Sequence, residues 1–141
     1  MWRRATTRWA DDDAYGHMNN ATYYELFDTA VNAYLFEATG TNIRRLAAIG
    51  VVAETSCRYF REIGFPDPVD IGLVAESVGT SSVVYRIGLF QGESNQAAAE
   101  GRFVHVYVDN QGERSRPVRP IPPEIRAVVE RLLPEPAPPG Q

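Results

Sequence analysis

The sequence predicts an α+β fold in which a single antiparallel sheet packs against one long apolar helix. Apolar side chains recur at spacings of three and four over residues 21–39, so most of the circumference of this helix is apolar. The period then changes to two, and strand-like segments follow at 51–59, 69–78, 83–89 and 97–108. Consecutive strands joined by short turns pair antiparallel, and one such sheet with one helix is an α+β arrangement.

Shorter elements complete the predicted order at the two ends of the chain. Residues 6–9 are expected to form a short first strand, and residues 123–133 a short helix with Pro123 in its first turn. Because the long helix is too apolar to face water, we expect the sheet to curl around it. The outer face of the sheet would then pack on another sheet in a homodimer. We expect a single domain over 1–133 and a disordered Pro-rich tail over 134–141.

Composition excludes several classes of function. The chain has 141 residues, a formal charge of −4, a single Cys, and no Lys among its 14 basic residues. The acidic balance argues against nucleic acid as a partner, and the missing Lys excludes a Walker phosphate loop and a Schiff-base enzyme. One Cys excludes a disulfide framework and fits a reducing compartment. No secretory signal and no apolar run of bilayer length is present, so we expect a cytoplasmic protein without a membrane partner.

The chemically informative segment is residues 8–20, which contain three acids, one His and two Asn with neither helical nor strand period. One interpretation is a calcium loop, since Asp11, Asp13 and Gly16 have the spacing of an EF-hand start. However, the twelfth position is Thr22 where such a loop needs Glu. A second interpretation is a solvated turn that caps the following helix.

A third interpretation of the same segment is a catalytic carboxylate beside a helix N-terminus. The unpaired N–H groups of a helix start can polarise a carbonyl and stabilise the oxyanion that forms when it is attacked. A nearby Asp could attack that carbon or activate water. Because three adjacent carboxylates repel, we expect Asp11 or Asp12 to turn toward solvent or to pair with Arg8.

Residues 11–23 read D-D-D-A-Y-G-H-M-N-N-A-T-Y. This run, of the form D-x-D-x-x-G-H-x-N-N-x-x-Y, resembles the signature of hotdog-fold acyl-CoA thioesterases of the 4-hydroxybenzoyl-CoA thioesterase type. Later segments agree in order, so the resemblance covers roughly residues 5–125; these segments are 58–61, 67–69, 79–83, 99–106 and 121–122. The resemblance implies a hotdog fold, a five-stranded antiparallel sheet wrapped around one long central helix, assembled as homodimers or homotetramers. It also implies hydrolysis of an acyl-CoA to free acid and CoA, with no cofactor or metal besides the coenzyme A of the substrate.

The same resemblance assigns roles to individual residues. Asp13 takes the place of the catalytic carboxylate, and Asn20 that of the residue whose backbone N–H polarises the thioester carbonyl. His17 is a further catalytic candidate, with organisation of the loop as its alternative role. The substrate-binding candidates are Asn19 and Tyr23 near the helix start, Arg61 and Arg102 for the CoA phosphates, and Gly79, Thr80, Ser81 and Ser82 for the pantetheine arm.

Other functions stay open at this point. A non-catalytic acyl-CoA or lipid-binding protein of the same fold is one alternative, and a carrier-protein thioesterase or dehydratase is another. His105, in the last predicted strand, is interpreted as a half-buried structural residue. Cys57 is interpreted as a small buried hydrophobic residue, because no basic neighbour would activate its thiol.

Overall fold

The computed structural model of the chain describes residues 1–111 and 116–135. Its strands are β1 Trp2–Ala5, β2 Ala48–Tyr59, β3 Val69–Val78, β4 Ser82–Gln91 and β5 Ala99–Asp109, and its α-helices are α1 Asn20–Thr39 and α2 Pro123–Glu130. The predicted α+β fold, a five-stranded antiparallel sheet with one long central helix, is confirmed. The predicted tail over 134–141 lies, from residue 136 onward, outside the described residues.

The five strands form one antiparallel sheet in the order β1-β3-β4-β5-β2. The β3–β4 and β4–β5 connections are the predicted hairpins. The strand that follows α1, β2, instead joins the far edge of the sheet beside β5, so α1 crosses the sheet between β1 and β2. The β2–β5 pairing shifts register between Val52 and Glu54, which leaves Ala53 as an extra residue in β2.

The core lies between α1 and one face of the sheet, here called the inner face. Alternate residues of β3, β4 and β5 point into it, as the period of two predicts. The helix approaches closely at Gly101, where an added Cβ would lie 2.6 Å from ring carbons of Phe27. Helix α2 closes the core near the middle of α1, where the Tyr34 hydroxyl donates to the Val128 carbonyl at 2.6 Å.

Two local predictions differ from the structure. The first strand is Trp2–Ala5 rather than 6–9, and Trp9–Asp11 forms one turn of 3-10 helix. Helix α1 is buried on one side only: Phe27 and Val31 are fully buried, whereas Asp28 on the opposite side is exposed. The expectation that α1 is too apolar to face water is therefore wrong for a single chain. The reason is that the sheet packs on the apolar side of the helix, and the polar residues of α1 occupy the other side.

No helix among residues 1–111 and 116–135 is long and apolar enough to cross a membrane.

Candidate active site

The loop that precedes α1 is a compact turn held by its own backbone. The Asp13 N–H donates to the His17 carbonyl at 2.7 Å, and the Gly16 N–H donates to the Asp13 carbonyl at 3.1 Å. Gly16 has a φ of 79°, a left-handed conformation that favours glycine. The turn is fixed to the rest of the fold at Met18, whose N–H donates to the Ile63 carbonyl at 2.7 Å. The loop therefore has a defined shape although it has no regular secondary structure.

The three consecutive acids of this loop are separated by binding different partners. Asp11 is buried and accepts hydrogen bonds from the Arg8 backbone N–H at 2.8 Å and from the Arg8 guanidinium at 2.9 and 3.0 Å. Asp12 accepts from the Phe65 N–H at 3.2 Å. The expected pairing of Asp11 with Arg8 is confirmed. Because Asp11 and Asp12 bind these other groups, Asp13 is the one of the three acids that lies beside the start of the helix.

The Asp13 carboxylate is anchored through one oxygen. Its Oδ1 atom accepts hydrogen bonds from the Tyr15 N–H at 2.8 Å and the His17 N–H at 3.2 Å. No described residue donates a hydrogen bond to Oδ2, and the side chain is exposed. The capping-turn interpretation thus correctly describes the backbone of this loop. The turn also orients the carboxylate and leaves its second oxygen available for chemistry.

The first turn of α1 leaves one backbone donor unused. Asn19 is the N-cap, and its side-chain oxygen accepts from the Ala21 N–H at 3.0 Å. The Asn19 N–H donates to the Asp11 carbonyl at 2.7 Å, and the Thr22 N–H donates to the Asn19 carbonyl at 2.9 Å. Among the described residues, none accepts a hydrogen bond from the Asn20 N–H. A free N–H at the first helical position carries the positive partial charge of the helix end.

Asp13 and Asn20 line the same cleft, which has a volume of about 480 Å³. The loop supplies one wall, the first turn of α1 the second, and the end of β2 with the residues after it the third. The lining residues are Asp13, His17, Met18, Asn20, Tyr23, Tyr59, Phe60, Arg61 and Glu62. An acid and the first residue of the helix therefore border one space, as the third interpretation of the loop requires.

Tyr59 is a prominent cleft residue that the sequence did not single out. Its hydroxyl donates a hydrogen bond to the Asn20 side-chain oxygen, and its ring packs edge-on against Tyr23 at 4.9 Å between centroids. Partial burial, together with the neighbouring Cys57 thiol, raises the pKa of Tyr59 well above its ordinary value, so the hydroxyl stays protonated. Tyr59 thus holds the Asn20 side chain. It comes from the last residue of β2, and no spacing in the sequence marks this contact.

His17 and Arg61 lie at the rim of this cleft. His17 Nε2 is 2.8 Å from a carboxylate oxygen of Glu62, so its side chain binds an acid rather than a backbone group. The Arg61 guanidinium donates to the Gln96 carbonyl at 2.6 Å.

The remaining predicted site residues lie elsewhere in the single chain. The turn of Gly79, Thr80, Ser81 and Ser82 is at the end of the sheet where Ser82 stands opposite Val106, whereas Tyr59 stands opposite Ala99 at the other end. Arg126 donates to the Gly79 carbonyl at 2.6 Å. Arg102 forms ion pairs with Glu54 and Glu76 and lines no part of the cleft.

The described residues contain no group of three or more His, Cys, Asp and Glu side chains arranged to hold a metal ion. Asp11 and Asp13, the acids of the calcium-loop interpretation, are directed to Arg8 and to backbone N–H groups, respectively. Burial raises the pKa of the Cys57 thiol, which agrees with a packing role for this residue.

Comparison with known proteins places this geometry in a family. A family model described as the thioesterase-like superfamily matches residues 7–129. The structure of the PA5185 protein from Pseudomonas aeruginosa strain PAO1 is similar, with 43% identity, a TM-score of 0.88, and coverage of 96% of this chain and 92% of that chain. The PA2801 protein from Pseudomonas aeruginosa shares 30% identity with a TM-score of 0.79, covering 91% of this chain and 96% of that one.

A more distant similarity is to an Asp-to-Asn mutant of 4-hydroxybenzoyl-CoA thioesterase complexed with 4-hydroxybenzoyl-CoA. It shares 14% identity with a TM-score of 0.79, and the match covers 92% of this chain and 97% of that chain. No curated protein matches the chain. The family model and the first two structures, which extend over nearly the whole fold, identify the chain as a member of the thioesterase-like superfamily, a thioester hydrolase with the hotdog fold.

Proposed function

We propose that the chain hydrolyses acyl-CoA thioesters to a free acid and CoA, with Asp13 and the backbone N–H of Asn20 as the reacting groups. The observation that carries the proposal is the shared cleft. It is bordered by Asp13, an acid with one unbonded oxygen, and by Asn20, whose backbone N–H no described residue engages. Hydrolysis of a thioester needs both an electrophilic contact for the carbonyl oxygen and a nucleophile or base for the carbon.

In this mechanism the thioester carbonyl oxygen accepts a hydrogen bond from the Asn20 N–H. Negative charge that develops on this oxygen is stabilised by that bond and by the positive end of α1. Asp13 Oδ2 then either attacks the carbonyl carbon to form a mixed anhydride or removes a proton from a water molecule that attacks it. In both routes the carbon–sulfur bond breaks, the CoA thiolate takes up a proton, and water supplies the oxygen of the released acid.

Coenzyme A as the thiol is supported by a relative. The 4-hydroxybenzoyl-CoA thioesterase of the same fold is described with its CoA thioester bound. In this chain, Arg61 borders the cleft and is the arginine best situated for a phosphate of the nucleotide. A role for the turn from Gly79 to Ser82, which lies at the other end of the sheet, requires a second subunit.

We therefore include a homodimer in the proposal, formed through β2. This strand has twelve residues, pairs with β5 on one side and has no described strand on the other. A long unpaired edge is usually covered, and a second copy of the same strand covers it in an isologous antiparallel pair. Val51 and Val52, near the middle of β2, are 39% and 47% exposed in the single chain, which favours burial against a partner. A tetramer and a cytoplasmic location stay predictions.

The test is a panel of acyl-CoA and acyl-carrier-protein thioesters, assayed for thiol release with the purified protein and with Asp13→Asn. An Asn at this position can still accept the N–H groups of Tyr15 and His17, so the loop keeps its shape while the carboxylate is lost. We expect kcat for the best CoA substrate to fall at least about 10²-fold.

Asp12→Asn is the matched control, because it removes the adjacent charge from a side chain that does not line the cleft. Its kcat should stay close to that of the unmodified protein. Unchanged turnover in Asp13→Asn would remove Asp13 from the mechanism, and thiol release only from carrier-protein thioesters would reject CoA as the natural thiol.

A further inference from the structure

We propose that a groove on the outer face of the sheet, the side that faces away from α1, binds the proline-rich segment 134–141 of the same chain. The inference does not depend on the proposed function, because this outer-face groove and the cleft that contains Asp13 share no lining residue. It rests on the shape of the groove, on the position of Pro134 in its wall and on the hydrogen-bonding groups at its rim.

Two glycines form the floor of the outer-face groove. Gly72 of β3 stands directly opposite Gly88 of β4, and the neighbouring Ile71 is buried on the inner face, so both glycines belong to the outer one. Aromatic rings lie over them from the side. A Cβ at Gly72 would be 3.2 Å from ring carbons of Trp2, and a Cβ at Gly88 would be 2.9 Å from a ring carbon of Phe90. The absence of two side chains therefore leaves a depression beside two aromatic rings.

The outer-face groove is open and mostly apolar, with a volume of about 480 Å³. Trp2 and Val74, which line it, are 65% and 41% exposed. The Trp2 and Phe90 rings contact each other at 5.2 Å between centroids. Exposed apolar side chains that adjoin in this way mark a surface that binds another group.

The chain itself leads into this groove after α2. The Ala75 N–H donates to the Leu132 carbonyl at 2.9 Å, so the residues that follow α2 lie along β3. Pro134, two residues further on, lines the outer-face groove together with Trp2 and Val74. One proline of the segment 134–141 is thus already in the wall of the groove. The remaining residues reach the groove from the same chain, at an effective concentration of about a millimolar.

The composition of the segment suits an aromatic groove. Residues 134–141 read P-E-P-A-P-P-G-Q, so four of the eight are proline. Proline-rich sequences favour the polyproline II conformation, which aromatic-lined grooves recognise. Eight residues in this conformation extend about 25 Å, whereas β1 and β5 are about 14 Å apart across the sheet. The segment is therefore long enough to cross the groove.

The hydrogen-bonding groups at the rim complement such a segment. A proline has a carbonyl acceptor and no N–H donor. No described residue accepts a hydrogen bond from the Trp2 indole N–H, and the Arg86 guanidinium forms one ion pair, with Glu100 at 3.5 Å. Because a guanidinium has five N–H donors, Arg86 also keeps donors available. These donors can bind the carbonyls of a proline-rich segment.

A second copy of the sheet is a poorer occupant of the same face. Arg86 and Arg102 stand directly opposite each other beside the groove, and Glu54, Glu76 and Glu100 form ion pairs with them. Packing another sheet on this face would take these charged groups out of water, which costs free energy. A single extended segment covers the groove and leaves the charged side chains solvated.

The experiment follows the fluorescence of Trp2, because the segment would cover its ring. The chain has two Trp residues, so Trp9→Phe leaves Trp2 as the single Trp. Trp9 lies outside the groove and packs on Phe65, a contact that a Phe can keep. In this background, the prolines at 136, 138 and 139 are replaced together by Ser. We expect Trp2 emission to shift to longer wavelength and acrylamide to quench it more strongly, since water then reaches the ring.

Ala137→Ser is the matched control, because it changes the same segment and keeps every proline. Its Trp2 emission and quenching should equal those of the Trp9→Phe parent. Equal emission and quenching in the triple Ser variant and this parent would overturn the inference. A protection of Trp2 that is lost on dilution of the protein would also overturn it, because a second copy would then supply the cover.

A synthetic peptide with the sequence of residues 134–141 tests the groove without the covalent link. Added to the triple Ser variant, it should restore the emission of the parent and shift the Trp2 indole N–H signal in an NMR spectrum. Added to the parent, it should displace the chain's own segment only at about a millimolar or above. No effect of the peptide on Trp2 in the triple Ser variant at such concentrations contradicts the inference.

Discussion

The cleft at the start of α1 and a second cavity, whose lining includes His105, are built on opposite plans. The candidate reacting residues of the cleft, Asp13 and Asn20, are close in the sequence and exposed, and its polar side chains are held by backbone N–H groups or by each other. The cavity joins residues from α1, β2 and β5, and the Nδ1 atom of His105, one of its lining residues, is buried and has no partner among the described residues. The first arrangement presents reacting groups to solvent and substrate, while the second shields its unpartnered atom from both.

The difference shows where each region keeps an unused hydrogen-bonding group. In the cleft the unused groups are a helix N–H and one carboxylate oxygen, which suit a carbonyl under attack. In the cavity it is a neutral imidazole nitrogen that is buried among aromatic rings, which suits a packing role and not proton transfer near pH 7. The two regions thus differ in what an unused group can do, and each can be tested alone.

The largest expected effect in the cleft comes from removing the Asn20 N–H. Asn20→Pro deletes this donor at the first helical position, where proline is tolerated. The preceding residue, Asn19, already has φ −61° and ψ 139°, which a following proline accepts. We expect kcat to fall about 10²- to 10³-fold, the effect of losing an oxyanion donor, with little change in thermal stability.

Asn20→Ala is the matched comparison, because it deletes the same side chain and its bond to Tyr59 but keeps the N–H. Its kcat should exceed that of Asn20→Pro by at least about tenfold. Equal kcat values for the two variants would assign the effect to the side chain and reject the N–H as the electrophilic contact.

The cavity has a stability signature that the cleft lacks. The pKa of His105 is lowered to about 4 in the folded chain from a reference value of 6.5, so between these values the unfolded chain holds a proton that the folded chain does not. The free energy of unfolding should therefore be highest above pH 6.5 and fall as the pH drops toward 4, by up to about 3 kcal/mol from this residue. The adjacent Tyr85 and Tyr107, whose pKa values burial raises, stay protonated throughout.

Urea unfolding at several pH values between 4 and 7 measures this contribution. His105→Phe should flatten the dependence, whereas His17→Gln, which changes a half-exposed His in the cleft, should keep it. If His105→Phe follows the unmodified protein across this range, His105 is charged or solvated in the folded chain, and the neutral imidazole of the cavity is contradicted.

The sequence predicted those parts of the fold that depend on the spacing of apolar residues within one element. The spacing of three and four over 21–39 predicted α1 to within one residue at its start, and the strand alternation predicted β3 at its observed bounds. The predicted position of the first strand was wrong, because Trp2–Ala5 forms a strand by pairing with β3, which lies far along the chain. The sequence also did not predict the extra residue at Ala53 in β2, since a bulge depends on the partner strand.

The candidate site divides in the same way. Asp13 and Asn20 could be proposed from one contiguous motif, because a loop and a helix start are set by neighbouring residues. Tyr59 was missed, since the register of β2 against β5 decides that it reaches Asn20. His105 was expected to be a half-buried structural residue, and the structure instead buries it almost completely, with no described partner for its Nδ1 atom. Spacing in a strand predicts which face a side chain takes, and it does not predict what lies opposite.

The smallest expected effect concerns the free edge of β2, through which the proposed dimer forms. Val52 lies on the inner side of β2, beside a pocket that also contains Glu25 and Asp28 of α1. In the proposed dimer, Val52→Asp would bury a carboxylate close to these acids in both subunits. We expect the dissociation constant of the dimer, measured by sedimentation equilibrium, to rise at least about tenfold.

Val74→Asp is the matched control, because Val74 is similarly exposed, at 41%, but lies on β3 away from the free edge. It should leave the dissociation constant unchanged. Because the proposed role of the turn from Gly79 to Ser82 needs a second subunit, the kcat/KM of Val52→Asp should rise with protein concentration as the dimer re-forms. A monomeric Val52→Asp with the full activity of the unmodified protein would show that one chain is sufficient for the reaction.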